Sequence, residues 1–128
     1  MLHEDLTEQI IAAFYKVYNT LGYGFLEKVY ENALAVELRK RGFTVQQQEN
    51  IKVFYESEEV GDYYADLLAN NLVIVEIKTA KTIGEDHEAQ LINYLRSTRM
   101  EVGLLLNFGH EPGIKRKIYH NHLKKLPQ

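Results

Sequence analysis

D-L-L-A-N-N-L-V-I-V-E-I-K, residues 66–78, predicts two strands joined by a tight turn at the Asn-Asn pair. The second strand, residues 72–79, is nearly all branched aliphatic, which is typical of a strand buried on both faces. Glu76 and Lys78 interrupt it, and because strand side chains alternate, both point to the same face. Charges there are costly unless paired, hydrogen-bonded or bound to metal. For E-x-K alone, an ordinary ion pair at a strand end is the simpler interpretation.

Asp66 changes that interpretation, because it lies in the neighbouring apolar strand. A two-residue turn would pair Asp66 with Val75, on the face away from Glu76. A three-residue loop over residues 69–71 pairs it with Ile74 instead, and Glu76 becomes a diagonal neighbour on the same face. Asn suits the last position of such a loop, since it tolerates the left-handed conformation. We therefore expect the two carboxylates to meet.

Two carboxylates beside a lysine form a hard-oxygen site suited to a divalent cation, Mg²⁺ in the first instance or Mn²⁺. The lysine would orient a water molecule or stabilise charge on a phosphate. Asp66, Glu76 and Lys78 together therefore indicate metal-assisted hydrolysis of a phosphodiester bond.

These residues carry a resemblance to a known family. D-(x)9-E-I-K resembles the signature of the PD-(D/E)xK nuclease superfamily, although Ala65 stands where that family usually has Pro. Residues 24–30 match G-x-x-E-x-x-Y, the label of a small branch of the superfamily, and residues 90–94 match the Q-x-x-x-Y element of its RecB-like members. The resemblance extends over residues 6–118.

The resemblance implies a role for each matching residue. Asp66 and Glu76 would ligate the metal, and Lys78 would position the attacking water. Glu27 would be a third carboxylate ligand, whereas from the residues alone it is a favourable charge at a helix N-terminus. Gln90 would complete the catalytic set. The resemblance also places Tyr30 and Tyr94 as residues that pack against the site or bind substrate. Lys115, Arg116 and Lys117 are assigned to substrate binding because of their positive charge.

The predicted architecture is α/β, a restriction-endonuclease-like mixed sheet with helices on both faces and the order ααβββ(hairpin)αβ. The first helix is expected to begin at Asp5, with Glu8 completing a capping box, and to end at Gly22. The second helix runs to about Arg41, and the third covers residues 85–98. The second helix's predicted core stripe is Leu26, Val29, Tyr30, Ala33, Leu34 and Leu38. The predicted strands are residues 43–48, 51–55, 62–68, 72–79, 101–108 and 114–119.

Length and composition indicate an ordinary globular protein. With 128 residues, 45% hydrophobic and 26% charged, we expect one domain over residues 1–128. The absence of Cys excludes disulfides and thiolate metal sites. No apolar run approaches the ~18 residues of a membrane span, and no charged-then-apolar leader opens the chain. We therefore expect a cytoplasmic protein that does not bind membranes.

The net charge of -3 argues against a nucleic-acid binder, because phosphate contacts favour a basic surface. The basic stretch over residues 115–125 is the surface best suited to a nucleic-acid backbone, and residues 39–41 are a second. The expected partner is nucleic acid, DNA in the first instance; a homodimer or a protein partner is left open. The alternative function is a non-catalytic accessory module acting through a protein partner, which the charge favours and the intact Asp/Glu/Lys set opposes.

Overall fold

Helices and strands follow the predicted order in this computed structural model, which describes residues 2–126. Among these residues, no helix is long and apolar enough to cross a membrane. The predicted strand at residues 114–119, which follows the last element of that order, is also present, with observed bounds Pro112–Ile118. The elements are α1 (Glu4–Leu21), α2 (Glu27–Lys40), β1 (Val45–Tyr55), β2 (Glu58–Ala69), β3 (Val73–Lys78), α3 (Glu85–Arg96), β4 (Val102–Phe108), β5 (Pro112–Ile118) and a 3-10 helix (Asn121–Leu123).

The five strands form one mixed sheet in the order β1-β2-β3-β4-β5. β3 and β4 are parallel, with α3 as their crossover, and the other neighbours are antiparallel. β3 is therefore the central strand, which explains why its sequence is almost entirely aliphatic. The predicted mixed α/β fold is confirmed.

Helices cover both faces of the sheet. α1 and α2 pack Phe14 and Leu34 against one face, where Val75 of β3 also points. α3 packs Leu91 against the other face, where Ile74 points. Because side chains alternate along β3, Glu76 and Lys78 share the α3 face with Ile74.

The prediction of separate strands over residues 43–48 and 51–55 is wrong, because β1 continues through both. Gln48 has φ 56, yet the pairs on either side of it, Gln47 with Leu67 and Glu49 with Ala65, keep one register. The irregularity at Gln48 is therefore absorbed within the strand. β2 also begins earlier than predicted, at Glu58, because only two residues turn the chain between the strands.

The loop between β2 and β3 has three residues as predicted, but it covers residues 70–72 rather than 69–71. The observed pairs are Leu68 with Ile74 and Ala69 with Val73, so the predicted pairing of Asp66 with Ile74 is wrong by two residues. Both Asn residues have left-handed φ values of 53 and 54°. A shift of two leaves every side chain on its face, so Asp66 still shares a face with Glu76.

Two details at the helix ends also differ. The N-cap of α1 is His3 and no side chain caps the helix, so the predicted capping box at Asp5 is wrong. α1 does end before Gly22, which has φ 71. Leu26 and Val29 are 80% and 39% exposed, so they lie outside the core stripe of α2, where Glu31 is buried instead.

Candidate active site

β2 and β3 separate where the two predicted carboxylates lie. Backbone pairing between the strands ends at Leu67 with Val75. One step further, the Asp66 N–H donates to Glu76 Oε2 at 2.7 Å, and the Ile77 N–H donates to Asp66 Oδ2 at 2.7 Å. Each carboxylate therefore accepts a hydrogen bond from a backbone N–H of the opposite strand. In a regular sheet a backbone carbonyl would accept that bond. The two bonds hold both side chains in place.

Asp66 and Glu76 form an electrostatically strained pair. Burial, and next the charge of Asp66, raise the pKa of Glu76 to about 8. Burial also raises the pKa of Asp66, against the lowering effect of the Ile77 N–H. Lys78 lowers both pKa values without offsetting burial. The carboxylates of Asp66 and Glu76, which lie where the strands separate, therefore carry more negative charge than the surrounding protein neutralises.

Lys78 lies at the end of β3, half-buried and on the face of Glu76. Its neighbour in β4 is Asn107, which is 2% exposed. The Asn107 side chain accepts a hydrogen bond from the Ala80 N–H and donates one to the Ala80 carbonyl, both at 2.9 Å. This two-point contact anchors the backbone just after Lys78. We did not predict it, and its only signal was an Asn within an apolar strand.

Glu31 of α2 is a second residue near the carboxylates that the sequence interpretation missed. It is 3% exposed and accepts hydrogen bonds from Gln47 at 2.7 Å and from Gln48 at 2.8 Å. Gln48 Nε2 also lies 3.4 Å from Asp66 Oδ1, so Gln48 connects α2 with the carboxylate pair. The available signal was spacing, because Glu31 precedes Leu34 by three residues and so lies on the buried stripe of the helix.

Glu27 lies in the first turn of α2 and is exposed. Its charge contributes to the raised pKa of Glu76, as the smallest of the causes. Within residues 2–126, no three His, Cys, Asp or Glu side chains are grouped to hold a metal ion. The predicted three-carboxylate centre is therefore not assembled, because Glu27 stays in solvent while Asp66 and Glu76 each commit one oxygen to a backbone N–H.

α3 brings Gln90 and Tyr94 towards the carboxylates. The two are four residues apart on the helix, and Gln90 Nε2 donates to Tyr94 Oη at 2.9 Å. Tyr94 is 6% exposed. Burial, followed by the charges of Glu76 and Asp66, raises its pKa to about 12. These charges act on the phenol, so Tyr94 lies near the carboxylates, and Gln90 is hydrogen-bonded to it.

Tyr30 is placed for structure rather than for substrate. It is fully buried, stacks on Phe108 with centroids 4.5 Å apart, and donates from Oη to the Gly22 carbonyl at 2.5 Å. The Phe25 N–H donates back to Oη at 3.2 Å. Tyr30 therefore holds the α1–α2 loop, and its burial contradicts the predicted substrate contact.

Lys115, Arg116 and Lys117 do not form one surface. They are consecutive on β5, so Arg116 points to the face opposite the two lysines. Arg116 hydrogen-bonds to the Leu2 carbonyl, and Lys117 pairs with Glu88 at 2.5 Å. Two of the three cations are therefore engaged within the protein, which corrects the expectation of a common substrate patch.

Comparison with family models gives one finding. The model of the PD-(D/E)XK nuclease superfamily matches residues 4–117. That range includes the carboxylate pair, the lysine and the α3 residues described above. No curated protein and no solved structure matched the chain. The narrower grouping by the pattern of residues 24–30 stays a prediction.

Proposed function

The chain belongs to the PD-(D/E)XK nuclease superfamily, and from this premise we propose that it is a nuclease dependent on Mg²⁺ or Mn²⁺. One observation carries the proposal: Asp66 and Glu76 meet where β2 and β3 separate, with Lys78 on the same face of the sheet. Phosphodiester hydrolysis needs an oxygen-rich metal site and a cation close to the phosphate.

The donor set suits a hard divalent cation. Mg²⁺ in phosphoryl-transfer sites is commonly held by one or two carboxylates, with water and phosphate oxygens completing the shell. Among residues 2–126, neither Asp66 Oδ1 nor Glu76 Oε1 accepts a hydrogen bond shorter than 3.4 Å. Both side chains thus retain an oxygen for a metal, and their raised pKa values mark a position where added positive charge is favourable.

Each residue then has a defined task. Asp66 and Glu76 would hold the ion, which when bound activates water and neutralises charge on the phosphate. The ammonium group of Lys78 would position the water and stabilise the negative charge that develops on the phosphate. Gln48, hydrogen-bonded to Glu31, lies 3.4 Å from Asp66 Oδ1 and would help to orient that carboxylate.

A cleavage panel with three preparations tests the proposal. Wild type, Lys78→Ala and Lys81→Ala are incubated with single-stranded DNA, duplex DNA, branched DNA and RNA in Mg²⁺, Mn²⁺ or EDTA. Lys81 is an exposed lysine three residues further along the chain and is the matched control. We expect metal-dependent cleavage by wild type and Lys81→Ala. Lys78→Ala should lose roughly 100-fold or more in rate while keeping substrate affinity, because the lysine acts mainly on the transition state.

The control separates this protein's activity from contamination. Equal cleavage by wild type and Lys78→Ala would assign the activity to a contaminating nuclease. Absence of cleavage on every substrate with either metal would overturn the proposal and favour the accessory-module alternative.

A further inference from the structure

A cleft of about 1070 Å³ is lined by residues of α3 that include Tyr94. It is also lined by five residues from the outer part of the β1–β2 hairpin, residues 53–63, which we call the arm: Val53, Phe54, Val60, Gly61 and Tyr63. Tyr119, Leu123, Lys124 and Lys125 complete the C-terminal part of the lining. Tyr94 lines this cleft and is also affected by the charges of Glu76 and Asp66, so the cleft and the proposed active site meet at Tyr94.

We propose that this α3 cleft binds an unpaired nucleic-acid strand, whose bases stack on Tyr63 and Phe54 of the arm. The catalytic use of that strand rests on the proposed nuclease function, but its binding does not. The proposal specifies the substrate: a single strand, or the unpaired part of a larger structure, enters along α3 and is delivered to Asp66 and Glu76.

A β-bulge shapes the arm for this role. Val53 pairs with Gly61, but Phe54 pairs with Glu59, so Val60 is an extra residue on β2. Bulges redirect neighbouring side chains. In consequence two consecutive residues of β1, Val53 and Phe54, both line the cleft.

Gly61 gives Tyr63 its position. A Cβ on Gly61 would lie 2.9 Å from the Tyr63 ring, so the ring occupies space that any other residue at position 61 would fill. Tyr63 also contacts Tyr94, with ring centroids 6.0 Å apart. Tyr63 and Phe54 nevertheless stay 47% and 41% exposed. Tyr63 is held by these neighbours, and both side chains keep exposed surface in the lining of the cleft, as a stacking platform requires.

The charge of the cleft complements a phosphate backbone. Arg96, Lys124 and Lys125 line it against a single carboxylate, Asp86, although the whole chain has a net charge of -3. Lys124 Nζ is held by the Thr98 and Met100 carbonyls, which fixes its position. Positive charge beside exposed aromatic rings is the combination that proteins use to bind single strands.

The aromatic rings favour an unpaired strand over a duplex. Bases within a double helix stack on one another, and they reach protein rings only after unstacking. α3 has 12 residues and is therefore ~18 Å long, which accommodates a few extended nucleotides.

Binding without metal tests the proposal separately from catalysis. Fluorescence anisotropy in EDTA is measured with a labelled single-stranded oligonucleotide and with its duplex. Tyr63→Ala and Phe54→Ala are compared with Tyr64→Ala and Tyr55→Ala, which change adjacent exposed aromatics outside the cleft. Tyr63→Leu keeps apolar bulk without an aromatic face, and serves if Tyr63→Ala does not fold.

We expect the single strand to bind wild type at least roughly 10-fold more tightly than the duplex. The two cleft variants should each weaken binding by about 5- to 100-fold, the usual effect of losing one stacked base, and the controls by less than about twofold. Equal affinity for single strand and duplex, equal effects of cleft and control variants, or no binding at all would each overturn the proposal. The last result would favour a protein partner for the arm. If strand binding holds but the cleavage panel is negative, only the nuclease proposal fails.

Discussion

The backbone N–H of Asp66 donates a 2.7 Å hydrogen bond to Oε2 of Glu76 across the point where β2 and β3 separate. A carboxylate rarely fills this place in a sheet, because burial of its charge is costly. Here the second bond, from the Ile77 N–H to Asp66 Oδ2, makes the arrangement reciprocal. The two acidic side chains thus hold each other's strands while each keeps one oxygen for another ligand.

Stability without metal should fall as pH rises, because Glu76 has a raised pKa of about 8. Between the unfolded value near 4.5 and 8, the folded protein holds a proton that the unfolded chain has released. The free energy of unfolding in EDTA, measured by urea denaturation, should therefore decline across this range. Glu76→Gln should remove most of that decline and be more stable than wild type above about pH 8, by ~1–3 kcal/mol. Glu8→Gln, at an exposed position, should follow wild type.

Divalent metal should raise the melting temperature, because an ion that binds only the folded state adds to its stability. At about 10 mM Mg²⁺ and a Kd of about 1 mM, the gain is ~1.4 kcal/mol. Asp66→Asn and Glu76→Gln should abolish this gain, measured by differential scanning calorimetry. The same measurement on Glu27→Gln shows whether the exposed carboxylate of Glu27 becomes a metal ligand once the ion is bound. An unchanged melting temperature for wild type in both Mg²⁺ and Mn²⁺ would contradict the metal site.

Two substitutions of Gln48 should differ in stability but not in activity. Its φ of 56 favours glycine, so Gln48→Gly should be more stable than Gln48→Ala by ~1 kcal/mol. Both variants remove the amide that connects Glu31 with Asp66. Both should therefore lower kcat/KM equally, by roughly 10-fold, without changing strand affinity. Restored activity in Gln48→Gly alone would show that backbone strain, rather than the amide, limits the reaction.

Tyr30→Phe should destabilise the protein without affecting substrate binding. The Gly22 carbonyl loses its donor and the Phe25 N–H loses its acceptor, at a cost of ~1–2 kcal/mol by urea denaturation. Tyr15→Phe, at a site that is 40% exposed, is the control and should cost little. A selective loss of nucleic-acid affinity in Tyr30→Phe, at unchanged stability, would restore the substrate role that burial argues against.

Prediction from sequence succeeded for features that are set by the residues of a single helix, strand or turn. The helices, the buried central strand and the loop length between β2 and β3 follow from periodicity and from residues such as Asn70 and Asn71 that accept left-handed φ. Prediction failed for the register of that hairpin and for Leu26, because both depend on which neighbouring residues pack most favourably. Glu31 was missed because the partners that make its burial tolerable, Gln47 and Gln48, come from another element.

By itself, the sequence determined that Glu76 and Lys78 share one face of β3, because side chains alternate along a strand. It favoured a three-residue loop that places Asp66 on the same face, and the observed register keeps that relation because it differs by two residues. Only the tertiary structure decided that β2 and β3 separate at the carboxylates, that Glu27 is exposed, and that Val53 and Phe54, next to a bulge, both line the cleft beside α3. The physical reason is the separation along the chain of the residues that decide each property. Side-chain direction within a strand is set by local backbone geometry, whereas burial and distance between elements are set by packing among residues far apart in the chain.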